Sequence, residues 1–165
     1  MNRTIFRTAG SILAGIVLTG CETYKPYSNP AAPLPTLKRV AIVMPLNSKE
    51  KRRRADDISN VLAKRGIEAV IVPESDPIPK DVDGYFTYTD SWQWDLTMYL
   101  ADIEIKLHDA QTGKVIASAR YKQGWIHRYP TPIDIVDNLI GQILGEPPKS
   151  APRAEEPQNN ELLKH

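Results

Sequence analysis

Fourteen prolines in 165 residues limit what this chain can fold into more than any other feature. Proline lacks a backbone N–H and holds φ near about −65°, so it ends helices and is kept to the margins of sheets. Pro26, Pro30, Pro33 and Pro35 fall within residues 22–36, and Pro147, Pro148, Pro152 and Pro157 within 146–165. The first run reads as a PPII-like spacer that reaches at most roughly 45 Å at ~3.1 Å per residue. The second holds too few apolar side chains to offset its ordering entropy and reads as a disordered tail. The folded unit is then 37–145, a length that suits one domain.

Within that unit the punctuation is regular. "KRVAIVMP", residues 38–45, is a short apolar run stopped by Pro45 and reads as a strand buried on both faces. A helical pattern follows: Asn47 or Ser48 can cap it, Ala55, Ile58, Val61, Leu62 and Arg65 mark one face, and Gly66 ends it. "IEAVIVP", 67–73, is a second strand, and a right-handed crossover makes the pair parallel. "GYFTYT" is a third. Residues 97–110 alternate Tyr99, Ala101, Ile103, Ile105 and Leu107 with Asp102, Glu104, Lys106 and His108, a strand with one wet face. "QTG" is a hairpin turn with Gly113 available for positive φ, and "KVIASARY" returns as a fifth strand. A closing helix over 130–145 has Thr131 to cap it, Pro132 in its first turn, and an apolar stripe of Ile133, Val136, Leu139, Ile140 and Ile143. The order β-α-β-β-β-β-α predicts an α/β (α+β) two-layer sandwich, a mixed five-stranded sheet with two helices on one face. The other face, with Asp102, Glu104 and Lys106, is left to water or to a partner.

The first twenty residues form an export address. "MNRTIFRT" carries Arg3 and Arg7 and no acid, and "AGSILAGIV" follows. A basic start before a short apolar stretch is a secretory signal, and this stretch falls short of the ~20 apolar residues a bilayer span needs. Leu18-Thr19-Gly20-Cys21 resembles the lipobox of bacterial lipoproteins. The resemblance implies cleavage between Gly20 and Cys21, a thioether-linked diacylglycerol on Cys21, and fatty acylation (palmitate) of the new amino terminus. Cys21 is the sole cysteine, which leaves no intramolecular disulfide and no CxxC site. One acyl chain anchors only marginally, whereas several hold a protein to the membrane. Glu22, not Asp, follows the cysteine; by the same resemblance this favours the outer membrane over the inner one, with the protein facing the periplasm. The organisation expected is signal peptide 1–20, lipidated cysteine and tether 21–36, globular domain 37–145 and tail 146–165.

Charge narrows the function classes. The chain has 21 Lys+Arg against 20 Asp+Glu, and loss of Arg3 and Arg7 leaves 19 against 20. A near-neutral domain is not built for bulk nucleic-acid binding. The sequence has no GxSxG, P-loop or GxGxxG motif. His108, His127 and His165 are scattered, none with a partner at metal-ligand spacing, so neither a metal nor a cofactor is expected.

The densest stretch is "YTDSWQWDLTMY", 88–99. In a strand Trp92 and Trp94 share a face, as do Tyr88 and Asp90. Two readings follow. The rings can pack as core, where aromatic neighbours add ~0.5–1.5 kcal/mol beyond their buried area. Or they lie on the uncovered sheet face as an apolar patch for a protein or glycan, with Trp125 and Tyr129 extending it. Asp90 and Asp95 admit a glycosidase pair, with capping or turn roles as the plainer alternative. Trp92, Trp94 and Asp95, followed by a long strand, the "DAQTGKVIASARY" hairpin and a last helix, resemble a family of small uncharacterised Gram-negative lipoproteins with a W-x-W-D signature. More distantly, the element order is similar to the N-terminal domain of TolB and the periplasmic domain of the curli secretion lipoprotein CsgG. These resemblances imply binding in the periplasm and no known reaction.

"KEKRRR", 49–54, puts positive charge at a helix start, where it opposes the dipole. Asp56 and Asp57 can offset this by pairing with Arg52 and Arg53 at i,i+4. The face is either merely solvated, or Lys51, Arg52, Arg53 and Arg54 contact an anionic surface or partner. The expectation is a membrane-anchored, non-enzymatic lipoprotein that binds an envelope protein. The alternatives are a cell-wall glycan-acting enzyme and a peptidoglycan-binding lipoprotein.

Overall fold

The computed structural model describes residues 23–28, 34–45, 49–124 and 129–149. Residues 1–20 (read as an export signal), Cys21, the Asn47/Ser48 cap position, Trp125, His127 and everything after Lys149 lie outside the described residues. The elements, in chain order, are β1 (Thr23–Ser28), β2 (Arg39–Met44), α1 (Lys49–Ala63), β3 (Glu68–Pro73), β4 (Gly84–Trp94), β5 (Met98–Asp109), β6 (Val115–Lys122) and α2 (Pro132–Ile143). The strands form one mixed sheet in the order β1-β6-β5-β4-β2-β3. β2 is parallel to β3, as a crossover through α1 requires, and also to β4, and the remaining neighbours are antiparallel.

The sheet therefore has six strands where the sequence reading has five, and the element order gains a strand at its head. The added strand, β1, comes from the segment read as a tether. Pro26 is compatible with it because β1 is an outer strand, where a missing N–H need not break a ladder. Its pairing is distant in sequence: Tyr24 lies opposite Tyr121, with ring centroids 5.1 Å apart. Residues 29–38 then run between β1 and β2, which have β6, β5 and β4 between them. Most of the proline-rich run thus joins two strands of one sheet.

One core lies between the sheet and the two helices. α1 contributes Arg54, Ala55, Ile58, Val61 and Leu62, and α2 contributes Ile135, Val136, Leu139, Ile140 and Ile143. They pack on Val40, Ile42, Phe86, Tyr88, Ile103, Ile105, Leu107, Ala117, Ala119 and Tyr121. The stripe read for α2 is met except at its start, where Ile135 is buried and Ile133 only half-buried. Gly66 follows α1 with φ +75° and Gly113 completes the β5–β6 turn with φ +68°, left-handed values that favour glycine. Thr131 caps α2 by accepting from the Asp134 N–H at 3.4 Å, with Pro132 in the first turn.

Arg65, read on the apolar face of α1, instead closes the joint between helices. It donates to Asp137 at 2.7 Å and to both oxygens of Glu146 at 2.8 and 3.0 Å. The Lys149 N–H donates to Asn138 Oδ1 at 3.0 Å. The first residues of the second proline-rich run are thereby folded onto α2.

Candidate functional site

The aromatic stretch occupies the end of β4, its turn and the start of β5. Alternation carries Phe86, Tyr88, Asp90 and Trp92 onto the helix-covered face. A register shift between Ser91 and Trp92 brings Leu100 opposite Trp92 and so keeps an apolar neighbour beside the ring. Below α1 these residues form a closed polar cluster. The Asp90 side chain is 1% exposed and pairs with the Lys51 ammonium. Its other oxygen accepts from Trp92 Nε1 at 2.9 Å. Arg54, also 1% exposed, sits 5.3 Å from the Trp92 ring centroid and pairs with Asp57. Burial raises the Asp57 carboxyl despite the opposing charges of Arg54 and Arg53. The Tyr88 hydroxyl donates to the Lys51 carbonyl at 2.5 Å, and burial, then the Asp90 charge, pushes it above the usual tyrosine range.

Past Trp92 the hairpin outruns its cover. Trp94 is opposite Met98, and Leu96 stands in the turn between them; they are 73%, 55% and 88% exposed. Asp95 belongs to the same turn: its N–H donates to Thr97 O at 3.1 Å, and its carboxylate accepts from the Tyr129 hydroxyl at 3.3 Å. Tyr129 also meets Tyr99 edge-on at 5.6 Å, and Tyr99 donates to Gln93 at 2.9 Å on the other side of the hairpin.

The sheet face opposite the helices carries a second set of side chains. His108 stacks on Tyr85 with centroids 4.6 Å apart. Its Nδ1 lies 3.1 Å from Gly113 O, which can only accept, so Nδ1 donates there, and Nε2 lies 2.9 Å from Thr87 Oγ1. Arg120 grips Asp102 through Nε at 3.0 Å and Nη2 at 2.7 Å, and Lys106 pairs with Glu104 at 3.0 Å. Ser91, Gln93, Tyr99, Asp102, Lys122 and Gln123 line a shallow recess of about 350 Å³ at one end of this face.

The residues singled out in sequence are thus separated. Tyr88 and Trp92 belong to the helix side, Trp94 and Tyr129 are exposed, and Trp125 lies outside the described residues. Placing Tyr88, Trp92 and Trp94 on the uncovered face does not match this register. Of the four cations, Arg54 is buried, Lys51 is paired with Asp90, and Arg52 pairs with Asp56 at 3.5 Å; Arg53 is exposed. Asp57 pairs with Arg54 at i,i+3 in place of Arg53 at i,i+4. Asp90 is engaged by Lys51 and Trp92, while Asp95 belongs to an exposed turn. Among the described residues no group of three or more His, Cys, Asp or Glu side chains could hold a metal. Sequence reasoning missed Leu96 and Met98, although apolar residues in a turn, where polar ones are usual, were a readable signal. It also missed Arg54 as a buried partner of Trp92. Arg54 lies four residues before Ile58 and seven before Val61, the spacing of the buried stripe.

No family model and no curated protein matches the chain. Among solved structures it is similar to PelC from Paraburkholderia phytofirmans, in two crystal forms described as dodecamers. A single-substitution variant gives 18% identity and a TM-score of 0.52, and the other form 17% and 0.51. Both matches cover 75% of this chain and 95% of PelC, which shows a shared fold. A weaker match is TolB from Acinetobacter baumannii, at 13% identity and a TM-score of 0.45, covering 78% of this chain and 32% of TolB.

Proposed function

We propose that this chain is a lipoprotein held by Cys21 in the outer membrane, facing the periplasm, and that it acts without catalysis by binding proteins of the envelope. The observation that carries the binding reading is the sheet face opposite α1 and α2. It offers a stacked Tyr85–His108 pair, oriented ion pairs and a recess, with no described element lying over it. Aromatic rings and arginine fixed in place beforehand are the side chains that bind proteins with little loss of freedom. The outer strands are blunted by Pro26 in β1 and Pro73 at the end of β3, which favours contact across the face over strand addition. The first partner we infer is another copy of the chain, because PelC, which shares the fold over nearly its whole length, is a dodecamer. Anchoring is supported by the basic, apolar and Leu18–Cys21 segments in their proper order.

A photo-crosslinking residue at Thr89, exposed on that face, is expected to give covalent multimers when the full chain is made in a Gram-negative host. The same residue at Lys64, beside α1 in the other layer, is expected to give none. Exported protein that forms no adduct through Thr89 would sink the reading.

A further inference from the structure

The strand registers put the start of β1, two residues after Cys21 in sequence, and the exposed hairpin tip at the same end of the sheet. Thr23, the first residue of β1, lies opposite Lys122; Lys122 lies opposite Asp102; Asp102 lies opposite Ser91. These four residues form a row across β1, β6, β5 and β4. β1 begins at that row with Thr23, and two residues of chain, at most about 8 Å, separate Thr23 from Cys21. β4 crosses the same row heading outward. Trp94 is three residues beyond Ser91, about 10 Å at ~3.3 Å per residue. Sideways, β1 and β4 are three strand spacings apart, about 14 Å. The start of α1 is at this end too, since Lys51 meets Tyr88 and Asp90. Its first turns carry the exposed Arg52 and Arg53.

We infer that the β4–β5 hairpin is a second membrane contact, with Trp94, Leu96 and Met98 entering the headgroup–acyl boundary of the phospholipid leaflet that holds the Cys21 lipid. This rests on the anchoring proposed above. An acyl group on Cys21 holds the tip beside the bilayer at high effective concentration, so three side chains suffice where they would not bind alone. The tip has the chemistry of that boundary: tryptophan favours the water–membrane interface, and leucine and methionine supply the apolar part. Arg52 and Arg53, one of them shared with Asp56, supply positive charge toward lipid phosphates. Asp95, the acid within the turn, accepts a hydrogen bond from Tyr129. Footings under β1 and β4, three strand spacings or about 14 Å apart, with Arg52 and Arg53 of α1 as a third contact to one side, would hold the strands upright and turn the open sheet face sideways, along the membrane plane.

The test uses the full chain purified with its lipid and reconstituted in vesicles of phosphatidylethanolamine and phosphatidylglycerol, with intact mass confirming the acyl groups. An environment-sensitive dye on Leu96→Cys is expected to show blue-shifted emission, and the same dye on Thr112→Cys, in the turn at the opposite end, unshifted emission. Brominated lipid should quench part of the native tryptophan fluorescence, and Trp94→Phe should remove that quenchable part. Acylated protein with no shift at 96 and no bromolipid quenching overturns the inference while the anchor stands. Tryptophan shielded from both bromolipid and aqueous acrylamide puts the tip against protein and also overturns it. A mass without acyl groups overturns the anchor and the inference together.

Discussion

Asp90 shows what one residue decides here. It is buried, and it holds Lys51 and Trp92 Nε1 at once. Asp90→Ala would leave a cation and an indole N–H without their acceptor, a loss of about 2–4 kcal/mol. Asp90→Asn, which still accepts hydrogen bonds, is expected to lose less. Urea unfolding of both variants checks the order, and equal midpoints for Ala, Asn and wild type would reject the role. The two-residue spacing of Trp92 and Trp94 in β4 assigns both to one face of the strand. What spacing could not show is where cover stops: α1 reaches Trp92 through Arg54 and leaves Trp94 bare. That limit depends on where a helix distant in sequence begins relative to the strand end.

At the scale of elements, α1, α2 and five strands were legible because each has its own periodicity and stop signals. β1 was not. Its six residues include a proline and no alternating apolar pattern, and they are held by pairing with β6, roughly a hundred residues on. The domain 37–145 drawn from sequence therefore lacks a strand and loses Glu146 and Lys149. A fragment cut at those bounds would expose the flank of β6 and uncover Tyr121, beside which Tyr24 packs. It is expected to be less stable than residues 22–149 by at least about 2 kcal/mol, or roughly 10 °C in Tm. Coincident melting curves for the two would show that β1 contributes nothing to the fold.

For the whole molecule, the Arg65 joint ties α1 to α2 and to the chain beyond it. The hydrogen bond from Arg65 lowers the Glu146 carboxyl below its usual range. At Asp137, burial pushes upward but the bonds from Lys149 and Arg65 outweigh it, so this carboxyl is lowered as well. Acids lowered on folding add stability that is fully present above their unfolded values, 4.5 and 3.8, and is lost as pH falls through the lower folded values. Thermal stability should therefore fall with acidification below about pH 5. Arg65→Ala should flatten that acid limb and cost about 1–3 kcal/mol near neutrality. Parallel Tm–pH profiles for wild type and variant would reject the assignment. The layered architecture was readable from element order, whereas the Arg65 joint, built by residues 72 and 81 positions apart, had no local signature. One mechanical consequence follows from β1 starting two residues after Cys21. Under the proposed Cys21 anchor, load from the membrane would enter along a strand paired over its whole length with β6, so all the bonds of that ladder would be strained together, in shear. A slack leash would absorb a tug, whereas a six-residue strand held by β6 would pass it to the sheet at once.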